Sequence, residues 1–494
     1  SHGLQLPVEE NKNDPVYRKY LEFKAWTGEE WSERLYKMVK AKNPQIAICT
    51  YSDRFVDIIR HESQTNTLPY WPYNASDNVG NAANSFPDHI ISNASIQQIS
   101  FQSRFNAVEP EEVAIRLYEN IANGSGLDMS MMGDFRNYED ERNFDVFKRV
   151  YGHHKKFESY YGRYKSVAEI LVIAPGAWPS GLPAQEYRGI QLMLKESHLQ
   201  YDILEDKQIG NRADALRKYK LIILPDITFL SRESIQAIRE AVKAGVHIMA
   251  TNSSFSDEPQ LLEELFGARI INSGNDGAGN YITVEEYDIF KRLRKQKLLS
   301  WKFNLGLYNF AKADAKYFAL QSPGRPGPPE ITGGHEPMGF YAVGIKNHGK
   351  AKAILMPVNI GRLYYIHGYE QNKNIILDLI DHVLPEASGQ IITNAPERVE
   401  VILKEMNRNI PSNYGKATSE AMILHLINLT GFSGNSYFSP IPVRDLRFRI
   451  RSKQKPSLLF SMIANQTVPF TWKDGYVEFV VKNLGEYEGV VVNW

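Results

Sequence analysis

The sequence predicts an α/β chain of three units: a partial (β/α) barrel over residues 1–164, a doubly wound parallel sheet over 165–387 and a β-sandwich over 388–494. Three observations carry this reading. In the first unit, apolar strand-length runs alternate with helix-period segments and no hairpin signal separates them, which is the pattern of parallel α/β structure. In the second, AEILVIAP, YDIL, LIILPD and VHIMAT are separated by helical patterns, a βαβαβαβ series of the flavodoxin-like kind. From Gly389 onward, short segments with alternating apolar positions recur between turn residues, as in RVEVILKEM, AMILHLINLT and YVEFVVKN. That texture predicts a sandwich of about seven or eight strands.

Composition narrows the function classes. Lys plus Arg and Asp plus Glu both number 57, so the formal charge is zero. A balanced chain has no electrostatic footprint for nucleic acid or an anionic membrane, and no apolar run is long enough to span a bilayer. The one cysteine, Cys49, lies in the apolar run IAICTY and reads as a small core residue. Aromatics make up 12% of the chain, with 27 tyrosines. Most of these rings are expected in the core, and some could serve as flat faces for a sugar.

The first unit opens with a helix over 15–42, with apolar positions at Tyr20, Phe23, Trp26, Trp31, Leu35, Met38 and Val39. Thr27 and Glu30 fit a capping box that restarts it, and Asn43-Pro44 closes it. Strands are expected at 45–50, at 56–60, at 96–101 and at 127–132, with a helix from Glu109 to Asn123 stopped by Gly124-Ser125-Gly126. A closed barrel needs eight strands and about 250 residues, so four strands within 1–164 make half of one.

In the second unit the turn PGAWPSGLPAQEYRG carries neither a dinucleotide fingerprint nor a Walker sequence. No strand-to-helix elbow holds a Cys or Ser nucleophile, which disfavours an amidotransferase-like enzyme. The doubly wound sheet therefore reads as scaffold, ended by a helix over 372–383.

The chemistry is concentrated in VDIIRHESQTNTLPYWPYNASDN, residues 56–78. A strand that releases Arg60, His61 and Glu62 at its carboxyl end, into a loop with Tyr70, Trp71 and Tyr73, resembles the mouth of a sugar-binding barrel. Glycosidases need two carboxyl groups flanking the scissile bond. Glu62 is the first candidate, and Asp134, after Gly133 at the end of the fourth strand, is the second. Trp71 and Tyr73 are the candidate stacking faces. Arg60, His61, Asn78 and Arg104 are candidates for bonding hydroxyls, and Arg104 could also orient Glu62. Each has a plainer structural reading: an ion pair of Glu62 with Arg60 or Arg104, a helix cap at Asp134, packing for the two rings. His153 and His154 are adjacent, point to different helix faces and read as a cationic helix end. No metal and no cofactor are expected.

On DPVYRKYLEF, NPQIAICTY, IIRHESQTN, PYWPYNASDNV, ANGSGLDMSMMG and EYRGIQLMLKESHLQYDIL with LIILPD, the chain resembles glycoside hydrolase family 42 β-galactosidases. It is more similar still to glycosyl hydrolases and α-L-fucosidase-like proteins of the same layout. The resemblance implies a catalytic barrel, a trimerisation domain and a C-terminal sandwich, with residue 1 falling inside the barrel and its first four strands not in view. It implies hydrolysis of a terminal sugar from an oligo- or polysaccharide-derived substrate, in a homo-oligomer for which a trimer is expected. The family's acid/base Glu would then precede residue 1. Its nucleophile Glu lies on the seventh strand, read here as QQISFQSRF, where Gln102, Ser103 and Arg104 stand instead. The rival expectation is a non-catalytic carbohydrate-binding or assembly protein.

Overall fold

The computed structural model describes residues 3, 5–9, 14–64, 70–162, 164–275, 280–285, 288–293, 295–302, 305–325, 327–406 and 421–494. The first unit runs α1 (Pro15–Lys42), β1 (Cys49–Thr50), β2 (Ile58–Ser63), α2 (Asn74–Ser85), β3 (Ile90–Ile96), α3 (Pro110–Asn123), β4 (Gly126–Ser130) and α4 (Phe144–Phe157). Its four strands form one all-parallel sheet in the order β1-β2-β3-β4.

Helix α1 begins where the Asp14 side chain accepts from the Val16 amide at 2.9 Å and ends where the Asn43 amide reaches the Val39 carbonyl at 2.9 Å. It runs unbroken through the expected restart. The Thr27 hydroxyl donates back to the Phe23 carbonyl at 2.8 Å, four residues earlier, instead of capping a new helix. Helix α3 carries Glu111 and Glu112 in its first turn and stops at Gly124, whose φ of 99° is left-handed.

Three expectations for this unit are corrected. The strand expected at 56–60 is β2, displaced so that Arg60, His61 and Glu62 lie inside it. Half of the predicted aromatic loop is helix: Ala75, Val79 and Ala82 are buried at helical spacing, hidden in the sequence among small polar residues. Residues 65–69 of that loop lie outside the described residues. The third strand is Ile90–Ile96, and the expected strand at 96–101 is a loop closed by an isolated bridge between Gln98 and Ala107. Strand β3 escaped the pattern because it buries Asn93 and Ser95. Asn93 Nδ2 donates to Ser63 Oγ at 2.9 Å and to Asn120 Oδ1 at 2.7 Å, which offsets the cost of burying these amides.

The chain continues through β5 (Tyr164–Ser166), β6 (Ile170–Ala174), α5 (Gly181–Glu196), β7 (Tyr201–Glu205), α6 (Ala213–Leu216), β8 (Leu221–Pro225), α7 (Arg232–Lys243), β9 (His247–Thr251) and α8 (Pro259–Phe266). Next come β10 (Arg269–Asn275), β11 (Asn280–Thr283), β12 (Leu298–Trp301), β13 (Leu305–Asn309), β14 (Ala315–Gln321), β15 (Pro337–His348), β16 (Ala351–Met356), α9 (Ile360–His367) and α10 (Glu370–Val383). A nine-stranded sheet has the order β12-β11-β14-β15-β16-β9-β8-β6-β7. Its parallel part, β7-β6-β8-β9-β16, has the chain order second-first-third-fourth-fifth, one of the two common doubly wound orders. Helices α5 and α9 cross in contact: a Cβ on Gly189 would stand 1.8 Å from the Gly361 carbonyl oxygen, so the crossing requires glycine.

The last strands are β17 (Ile391–Thr393), β18 (Val399–Met406), β19 (Ala421–Asn428), β20 (Val443–Arg451), β21 (Leu458–Ser461), β22 (Gln466–Thr467), β23 (Phe470–Lys473), β24 (Tyr476–Leu484) and β25 (Tyr487–Asn493). They form two sheets, β17-β20-β24-β23 and β22-β21-β25-β19-β18-β5. Strand β5 precedes the doubly wound sheet in the chain yet pairs with β18, so the expected boundary at 164/165 cuts a strand of the last unit.

The units meet around Lys195 of α5. Its ammonium pairs with Glu400 of β18 and lies over the rings of Tyr73 at 4.8 Å and Tyr201 at 5.7 Å, and both paired side chains are buried. Adjacent His153 and His154 are not a cationic helix end. Burial and neighbouring cations push His153 down to about 4, and His154 stacks on Tyr161 at 5.2 Å.

Candidate functional site

In a parallel sheet, paired residues on neighbouring strands point to one face. Arg60 pairs with Ser92, and Glu62 with Ala94, while Ala94 pairs in turn with Asp128. By the same register Cys49 shares this face with Ile58, and it is exposed there instead of buried in a core as its apolar neighbours predicted. One face of the first sheet thus carries Cys49, Arg60, Glu62, Ser92 and Asp128. The other face, with Ile59, His61, Ser63 and Asn93, is buried.

Glu62 is held at both oxygens. The Tyr51 hydroxyl donates to Oε1, and Gln64 Nε2 donates to Oε2 at 2.9 Å. The bond to Glu62 is the largest cause that raises the Tyr51 hydroxyl above its ordinary range, followed by burial. Asp128 accepts from Ser92 Oγ at 3.0 Å, and Arg60 Nε stands 3.6 Å from the same oxygen. Two sheet spacings put the Glu62 and Asp128 backbones about 9.5 Å apart.

The other expected site residues go elsewhere. Asp134 is exposed and caps a short turn, Phe135–Asn137, where it accepts from the Arg136 amide at 3.0 Å and pairs with the Arg136 guanidinium at 2.8 Å. That guanidinium holds its carboxyl below the usual range. Trp71 and Tyr73 are 3% and 0% exposed, so neither offers a stacking face. They pack edge to face at 5.2 Å, and Trp71 also meets Tyr365 of α9 at 6.0 Å. His61 faces the buried side, its ring 4.4 Å from that of Trp178. Burial alone pushes it down to about 4, so it is neutral near neutral pH. Asn78 is buried and donates to the Glu62 carbonyl at 2.9 Å and to Asn93 Oδ1 at 3.2 Å, which ties α2 to the two strands. Arg104 is exposed in the 97–108 loop, where it donates to the Phe101 carbonyl at 2.8 Å and lies over the Phe101 ring. Of the eight expected residues, Arg60 and Glu62 stand together on the open face.

The sequence reading missed Asp128, Tyr51, Ser92 and Gln64. A signal for one of them existed. In LDMS the polar residue Asp128 stands between Leu127 and Met129, the period of a strand with one polar face, whereas Ser92 is followed by polar Asn93 and breaks that period. Tyr51 and Gln64 carry no such signal, since only the fold brings them to Glu62. Among the described residues, no group of three or more His, Cys, Asp or Glu side chains could hold a metal ion. Nor is any helix among them long and apolar enough to cross a membrane.

The chain matches no protein-family model and no curated protein in sequence. In structure it is similar to α-L-fucosidase isoenzyme 2 from Paenibacillus thiaminolyticus, with TM-score 0.69 and 15% identity over 94% of this chain and 71% of that one. It is similar to a β-galactosidase from Bacillus circulans sp. alkalophilus, with TM-score 0.68 and 12% identity over 99% of this chain and 71% of that one. A family 42 β-galactosidase from G. stearothermophilus gives TM-score 0.62 and 12% identity over 92% of this chain and 65% of that one. The chain therefore spans about two thirds to seven tenths of the length of these enzymes. Its fold is that of the family 42-like glycoside hydrolases.

Proposed function

We propose that this chain forms one wall of a glycosidase active site, with Glu62 as the ionised carboxylate that attacks the sugar or activates water. The observation that carries this is the open row in which Glu62 and Asp128 face one way across Ala94. Both carboxylates are supplied with donors, Tyr51 and Gln64 on one and Ser92 on the other, with Arg60 beside the second. Donors that fix a carboxylate's orientation suit a nucleophile or base.

The first sheet is read as the second half of a (β/α) barrel, β1 to β4 being its fifth to eighth strands. Two observations support this. The sheet is all parallel and, among the described residues, β1 and β4 have no partner on their outer sides, and α1 leaves Phe23, Trp26, Trp31 and Met38 more than half exposed. A long helix with that many open rings requires cover. The end of the seventh strand then carries Gln97 and Gln98, not the Gln102 to Arg104 stretch, and there too no glutamate stands. The doubly wound sheet is read as a flavodoxin-like, trimerisation-type scaffold, and the substrate as a terminal sugar of an oligo- or polysaccharide. Replacing Glu62 by Gln in the natural gene product should abolish hydrolysis of aryl glycosides with circular dichroism unchanged; full activity would remove Glu62 from the mechanism. A second reading, a carbohydrate-binding protein without catalysis, is favoured by the two glutamines after β3. It predicts sugar binding by calorimetry with no turnover.

A further inference from the structure

The contacts of Glu62 go beyond its presence on the row. Tyr51 follows β1 and reaches across to β2, where its hydroxyl donates to Glu62 Oε1, while Gln64, two residues beyond Glu62, donates to Oε2. One donor fixes an oxygen, whereas two donors from different elements fix the plane of the carboxylate. Tyr51 is 56% exposed and, among the described residues, belongs to no buried apolar cluster. Among the described residues, the remaining titratable or charged groups on this face are Cys49 from β1, Arg60 on β2 itself and Asp128 on β4. Strand β3 contributes Ser92 and Ala94, which do not titrate.

We infer that Tyr51 is a positioning residue, which, with Gln64, orients the Glu62 carboxylate for its part in the reaction. This rests on the glycosidase reading of the same face. Tyr51 itself does not touch the reacting atoms. Its hydroxyl acts through Glu62, whose free lone pairs are left directed at the sugar carbon or at a water.

The test compares Tyr51→Phe, Gln64→Met and Glu62→Gln in the natural gene product, with an aryl glycoside whose phenol leaves without protonation. Loss of one hydrogen bond to a charged acceptor is expected to lower kcat about tenfold to a hundredfold in Tyr51→Phe, with KM within about twofold. Gln64→Met should lower kcat in the same way with KM little changed, and it serves in place of Tyr51→Phe if that variant fails to fold. Unchanged kcat, or a rise in KM alone, overturns the proposal. Activity retained in Glu62→Gln instead overturns the parent reading, whatever the tyrosine variant does.

Discussion

Glu62 and Asp128 stand on one row of the first sheet, two strands apart, with the methyl of Ala94 between them. The strand register alone sets this relationship. Shifting any of the three strands by one residue would turn its side chain to the buried face, so the pairing is a property of the sheet and not of either residue's neighbours in sequence. If the row is the working face, Asp128 stabilises charge on the sugar without carrying the proton. Asp128→Asn should then lower kcat/KM on aryl glycosides by about 100-fold, the scale of one preorganised electrostatic contact, with the melting temperature unchanged. Wild-type turnover in that variant would reduce the pair to a single carboxylate.

The doubly wound unit contains a pH-sensitive contact. Glu186 of α5 accepts from Thr251 Oγ1 at 2.7 Å and from the amides of Gly361 and Arg362 at 3.0 and 2.8 Å, at the start of α9. Burial outweighs these bonds and pushes its carboxyl from 4.5 up to about 7. The folded state then holds the proton more tightly than the unfolded chain. The resulting stability is complete below about 4.5 and is lost as pH rises through about 7. Glu205, pushed to about 7 by burial, contributes with the same sign. In urea midpoints measured between about pH 5 and 8, Glu186→Gln should remove this contribution, so that the variant loses less stability than the wild type as pH rises through about 7.

Lys195 and Glu400 form a pair whose side chains are 9% and 1% exposed, at the junction of the three units. Removing one partner leaves the other charge buried alone. Lys195→Met should cost about 3 to 5 kcal/mol in denaturant unfolding, and adding Glu400→Gln should recover much of the loss. A loss below about 1 kcal/mol would mean that water reaches the site.

Helix α1 exposes Trp26 and Trp31 at 57% and 62%. The isolated chain of 494 residues should therefore bind a hydrophobic dye, and Trp26→Ser with Trp31→Ser should reduce that binding. Each substitution should change the unfolding free energy by less than about 0.5 kcal/mol, since both rings are more than half exposed. A large loss of stability would show that α1 is covered within this chain.

Much of the architecture is legible in the sequence because burial leaves a periodic trace. The strands LIILP and HIMAT and the alternation through β18 to β25 follow from their apolar residues alone. The first sheet was the hardest to read. Its strand β3 and helix α2 bury Asn93 and Asp77, polar groups whose partners Ser63, Asn120 and Tyr187 lie far away in sequence.

The candidate site divides along the same line. The sequence by itself determined which residues could do carboxylate chemistry near Ile58 and Ile59, and it singled out Arg60 and Glu62. Which of the remaining candidates join them was decided by tertiary structure. A side chain's face depends on strand register, and its exposure depends on what packs above it. Those two facts removed Trp71, Tyr73 and Asp134 from the row and placed Tyr51, Ser92 and Asp128 around Glu62.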